Sequence, residues 1–119
     1  MKIALGLVLL LASTVACTTE PPPIQSGDYQ FQHRFAEQPT VPSITVDVRI
    51  NNRHIIVSNN ATTDVFPRGV IAEGTLMWHP VSRQWIIGDK PSDADLQDVG
   101  GCSDGPEVVD LKNHVFWTC

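Results

Sequence analysis

The chain reads as a mainly β domain, a small antiparallel meander of six to seven strands forming an open sheet or half-closed barrel, with one short helical turn and one disulfide. Three observations carry that reading. Apolar residues recur at every second position through most of the chain, the period of half-buried strands. Turn-forming residues punctuate those runs at short intervals. A helical signature is confined to a single short stretch, and two cysteines, Cys102 and Cys119, stand in positions to staple the C-terminal part.

The strands follow in order. Tyr29, Phe31 and His33 alternate with Gln30, Gln32 and Arg34. Ile44, Val46, Val48 and Ile50 alternate with Thr45, Asp47 and Arg49, and Asn51-Asn52 then supplies residues that tolerate positive φ in a two-residue hairpin turn. That turn would set Val48 opposite Ile55, Val46 opposite Val57 and Arg49 opposite His54. Gly69 to His79 is a longer strand. The four residues Pro80 to Arg83 return the chain to Gln84–Gly88, which places Trp78 opposite Trp85 and Leu76 opposite Ile87. Glu107–Leu111 and His114–Thr118 form a last hairpin around Lys112-Asn113. The helical stretch is Ser92-Asp93-Ala94-Asp95 after Pro91, with Ser92 as N-cap and Asp95 three residues on; Gly100-Gly101 limit it to two turns at most.

Ahead of the domain, Lys2 precedes an apolar run from Ile3 to Ala12, broken only by Gly6, and Ser13-Thr14-Val15-Ala16 leads into Cys17. A run this short does not reach the roughly 20 residues that span a bilayer, so it reads as a removable export signal. Val15-Ala16-Cys17 resembles the lipobox of bacterial lipoproteins, whose cysteine is acylated before cleavage. Thr14 stands where that pattern usually has Leu, and ordinary signal-peptidase cleavage here is the rival reading. The resemblance implies a signal at 1–16, an acylated Cys17 opening a tether at 17–26, and a periplasmic domain at 27–119. Lipidation of Cys17 also leaves Cys102 and Cys119 as an even set, free to pair in an oxidising compartment. Thr18, a residue other than Asp, goes with sorting to the outer membrane in lipoproteins of this kind. The tether itself, with Pro21-Pro22-Pro23, reads as stiff, solvated polyproline II chain.

Charge narrows the partners. The 119-residue chain carries 13 acidic residues against 8 Lys and Arg, for a formal net charge of −5, and loss of Lys2 with the signal makes the mature chain more acidic still. That argues against nucleic acid, and leaves the membrane, through the N-terminal lipid, and a basic periplasmic protein as expected partners. Asp93, Asp95 and Asp98 belong to an acid-rich stretch and are candidate binding residues, although their spacing fails a calcium loop, with Gln97 and Asp98 at two positions that need other residues.

No cofactor, metal site or catalytic residue is expected. Gly101-Cys102-Ser103-Asp104-Gly105 fits the Gly-x-Ser-x-Gly string, but Asp104-Gly105-Pro106 cannot open the long helix that a nucleophile elbow requires. His33, His54, His79 and His114 lack the close spacing of zinc ligands. Trp78, Trp85 and Trp117 serve either the core or an aromatic binding face. Inhibitors and immunity proteins that act on envelope-attacking enzymes are similar in general plan, with a lipoprotein signal, a tether, a small β domain and a C-terminal disulfide. The expectation is thus a non-catalytic protein-binding module, or an envelope accessory, tethered to the outer membrane. The alternative is a small-ligand carrier resembling a reduced lipocalin.

Overall fold

A computed structural model describes residues 20–119; the signal read at 1–16 and the acylation read at Cys17 lie outside the described residues. Seven strands form one barrel in chain order: β1 (Gly27–Phe35), β2 (Thr45–Asn51), β3 (His54–Asn59), β4 (Gly69–His79), β5 (Gln84–Gly88), β6 (Val108–Asp110) and β7 (Val115–Thr118). A 3-10 turn, Pro91–Asp95, lies between β5 and β6.

Neighbours in sequence pair antiparallel, as the meander requires, and the sheet then closes fully. Closure rests on the length of β1. Its first part, Gly27–Gln32, pairs antiparallel with β2, whereas Gln32–Phe35 pairs parallel with Val115–Thr118 of β7. A strand of nine residues can serve two neighbours in succession, and the closed sheet has no free edge to invite aggregation. Period-2 patterning cannot reveal such a non-local parallel pairing.

The β4–β5 register is as expected, with Trp78 opposite Trp85 and Leu76 opposite Ile87. The β2–β3 register differs by two residues. Val48 lies opposite Val57 and Ile50 opposite Ile55, while Arg49 faces Ile56 and Asn51 faces His54. The turn is Asn52-Arg53, with Asn52 at φ 56°, one place beyond the expected pair. A two-residue slip preserves side-chain parity, so the same residues still face inward. Arg49 instead pairs with Asp28 at 2.9 Å, and His54 with Glu73 at 3.0 Å.

The 3-10 turn also starts two residues earlier than expected. Lys90, not Ser92, is the N-cap, and the Asp93 carboxylate accepts the backbone N–H groups of Asp89 and Lys90 at 2.7 and 3.1 Å. Those two bonds hold the buried Asp93 carboxyl below the usual carboxylate range. Pro91, without an N–H and with φ preset, fits the first helical position and fixes this frame.

The barrel interior is filled. Phe31, Ile55, Val57 and Leu76 are fully buried, and Phe116 and Val109 nearly so. Ile86 and Val108 are buried on the opposite face of their strands. There the 89–107 segment lies over them; a Cβ on Gly100, at φ 63°, would run into the Val108 side chain. His79 is buried in the same layer. Its Nε2–H donates to the Leu96 carbonyl, which leaves Nδ1 to accept the backbone N–H of Ser82. Asn59, also fully buried, donates from Nδ2 to the carbonyls of Ala61 and Phe66 at 3.0 Å and so organises the β3–β4 loop. Among the described residues no helix is long and apolar enough to cross a membrane.

Candidate functional site

The three tryptophans line one groove at the end of the β4–β5 hairpin. Trp78 and Trp85 share the inward parity of Leu76 and Ile87 at the end of the β4–β5 hairpin; Trp85 is a buried member of the core cluster, and the partly buried Trp78 packs against it. Their rings lie 5.6 Å apart in an edge-on arrangement. Trp117 follows the inward Phe116 on β7 and therefore sits on the outer side. β5 and β6 pair only through Trp85–Val109 and Ile86–Val108. Beyond that short ladder the β4–β5 and β6–β7 turns part, opening a groove of about 450 Å³ between them. A volume of this size falls within the usual range for ligand sites.

The rim is polar. Arg83 and Lys112 come from the two turns and Asp110 from the end of β6. Burial would raise the Asp110 carboxyl, but the bonds it accepts from Asn113 and from the Lys112 backbone outweigh that and hold it below the usual carboxylate range. Arg83 takes φ 55° at the end of its turn, a conformation that glycine would adopt without strain.

The remaining wall is the N-terminal segment. Glu20, Pro21 and Pro23 line the groove, so this stretch lies along the barrel instead of standing off as solvated chain. It is pinned along its length. Arg53 donates from Nη2 to the Glu20 carbonyl at 2.7 Å and from Nη1 to the Leu76 carbonyl at 3.3 Å. Ile24 packs against the core, Tyr29 donates its hydroxyl hydrogen to the Gln25 carbonyl, and the Asn52 N–H donates to Ser26 Oγ. Sequence reading marked the prolines as a spacer because nothing local in Pro21-Pro22-Pro23 announces a docking surface. Arg83 and Lys112 were missed for a similar reason: only the parting of β5 from β6 makes them neighbours.

The aspartates lie elsewhere. Asp93 is buried and committed to the 3-10 turn, whereas Asp95 and Asp98 are exposed on the outer segment together with Asp89 and Asp104. The groove and this acidic surface are separate features of the molecule.

The remaining sequence signals resolve into structural roles. Cys102 and Cys119 form a disulfide with Cα atoms 4.7 Å apart. Glu37 brings a carboxylate oxygen within 3.0 Å of Cys102 Sγ; this is the one metal-type grouping among the described residues, and its sulfurs are bonded to each other and offer no thiolate. Ser103 Oγ donates to the Gly100 carbonyl and accepts the Gly105 N–H, so it locks a turn. His114 stacks on Phe31 with ring centroids 4.8 Å apart.

His33 is fully buried inside the barrel, between Ser43 Oγ at 2.9 Å and Thr118 Oγ1 at 2.8 Å. Burial pushes its pKa below the ordinary 6.5, because the imidazolium would leave water for an aromatic setting of Phe35 and Phe66. The unfolded chain therefore takes up a proton first as the pH falls. The contribution of His33 is fully present above about pH 6.5 and is lost below it, as far down as the lowered folded-state value. The urea midpoint is expected to fall between about pH 7.5 and pH 5, and His33→Gln is expected to flatten that fall. An equal fall in the variant would assign it to other groups.

Compared with protein-family profiles, curated proteins and solved structures, the chain matches none.

Proposed function

We propose that this chain is a non-catalytic protein-binding module, held by a lipid on Cys17 at the periplasmic face of a bacterial outer membrane. The observation that carries the reading is the contrast between a barrel interior filled by its own side chains and an open groove that gathers Trp78, Trp85 and Trp117. A lipocalin-like carrier needs the opposite, an interior left free for a ligand. Interface energetics concentrate on a few aromatic and Arg anchors, and the groove presents both kinds. The exposed Asp89, Asp95, Asp98 and Asp104 would steer a cationic partner, with an effect on association rate that salt suppresses. An envelope-attacking enzyme of basic charge fits this surface.

The test immobilises residues 20–119 with the disulfide formed and captures partners from a periplasmic extract and a panel of lysozymes, identified by mass spectrometry. The expected result is a basic protein that is released at high salt and captured less by Asp95→Lys/Asp98→Lys. A co-purifying small molecule, with no protein captured, would overturn the reading in favour of the carrier.

A further inference from the structure

The groove states what kind of ligand it would accept. Part of its lining is aromatic, from Trp78 and Trp85 on the inner face and Trp117 on the outer, and a second wall is pyrrolidine, from Pro21 and Pro23. The second wall is built into the fold, since the bonds from Arg53 to Glu20 and from Asn52 to Ser26 bracket the three prolines. Three consecutive prolines favour the extended polyproline II conformation. The groove thus already holds a proline-rich segment and indole rings in one lining, within one chain.

Hydrogen-bonding chemistry restricts the ligand further. The indole N–H groups of Trp78 and Trp117, the Arg83 guanidinium and the Lys112 ammonium have no hydrogen-bond partner among the described residues. All four are donors only. Of the two carboxylates at the groove, Asp110 already accepts from Asn113 and from the Lys112 backbone N–H, and Glu20 stands on the N-terminal wall. The site therefore offers ring faces and a set of donors, with the Lys112 charge also attracted to the Asp110 carboxylate. A ligand that suits the rings and these donors has flat apolar faces and many acceptors. Proline-rich polypeptide in polyproline II form meets each condition, because proline lacks an N–H and leaves its carbonyls unpaired along the helix. Arg83 at φ 55° keeps a cation where glycine would relieve the backbone, which agrees with a role on the rim.

We propose that the Trp78–Trp85–Trp117 groove binds an extended proline-rich polypeptide, and that Pro21 and Pro23 of the docked N-terminal strap form part of that site. This rests on the protein-binding reading and specifies its ligand. The strap is then both tether and binding surface, so a ligand in the groove bears directly on the segment that leads to Cys17.

The probe is fluorescein-labelled decaproline, titrated with residues 20–119 and read by anisotropy; the barrel, strap and disulfide all close within that stretch. Saturable binding is expected for decaproline and not for a Gly-Ser peptide of equal length. Trp117→Ala is expected to weaken it at least tenfold. Arg83→Glu/Lys112→Glu, both exposed and outside the core, should weaken it severalfold with an unchanged circular dichroism spectrum. Pro21→Gly/Pro23→Gly should do the same. No saturable binding at millimolar protein would overturn the proposal, as would equal binding by all the variants. Binding of chitooligosaccharide or of phosphatidylglycerol vesicles in place of decaproline would reassign the groove to a glycan or to a membrane. A captured protein partner whose binding ignores both decaproline and Trp117→Ala would overturn this assignment and leave the protein-binding reading standing.

Discussion

Phe31→Ala is expected to cost about 3–5 kcal/mol of stability, the range for removing a large aromatic from a packed interior. Phe31 is fully buried and stacks on His114 with an interplanar angle of 2°. It pairs with Val46 of β2 just before Gln32, the residue at which β1 passes from β2 to β7. The cavity would therefore open beside the seam that closes the barrel. Small domains hold only about 5–15 kcal/mol in total, so the variant should be largely unfolded at moderate urea. Val81→Ser is the control: Val81 is 68% exposed, and the change should stay within about 0.5 kcal/mol. Urea titration by circular dichroism measures both. A loss for Phe31→Ala below about 1 kcal/mol would mean that the interior is not the close-packed core described above.

Cys102→Ser/Cys119→Ser is expected to cost about 3 kcal/mol, from loop-closure entropy returned to the unfolded chain. The two cysteines are separated by 17 positions, and their link ties the end of β7 to the glycine turn that covers Val108. At roughly 4–8 °C per kcal/mol for a domain of this size, the melting temperature should fall by about 12–24 °C. Glu37 stands beside the disulfide, and its negative charge should repel an attacking thiolate. The double variant and the reduced wild type should melt together. A melting temperature within a few degrees of the oxidised protein would show that the β1–β7 pairing holds the terminus without the staple.

Local chemistry made much of the fold legible. Alternation located the strands of both central hairpins, and Pro80–Arg83 fixed the Trp78–Trp85 pairing without error. Where a turn had two adjacent asparagines, the register was ambiguous by two residues, and parity protected the inward face from that error. The β1–β7 closure was not legible, because it joins residues more than 80 positions apart and leaves no mark on the local alternation. The site was half legible. Three tryptophans stood out by type, but their convergence depends on β5 and β6 pairing through two residues alone. The acids were conspicuous in sequence, yet the 3-10 frame set by Pro91 takes Asp93 into the structure and leaves Asp95 and Asp98 outside. The polyproline strap misled because composition reports stiffness and says nothing of a surface waiting to receive it.

The most direct measurement of the central claim, that this barrel binds protein through its tryptophan groove, is calorimetric titration of the captured partner. Wild-type residues 20–119 and Trp117→Ala would be compared at low and at high salt. A Kd at least tenfold weaker for Trp117→Ala at both salt concentrations, with salt weakening the two proteins alike, is the expected result. Equal affinities would contradict the claim and place the partner on the acidic outer segment or on another face of the barrel.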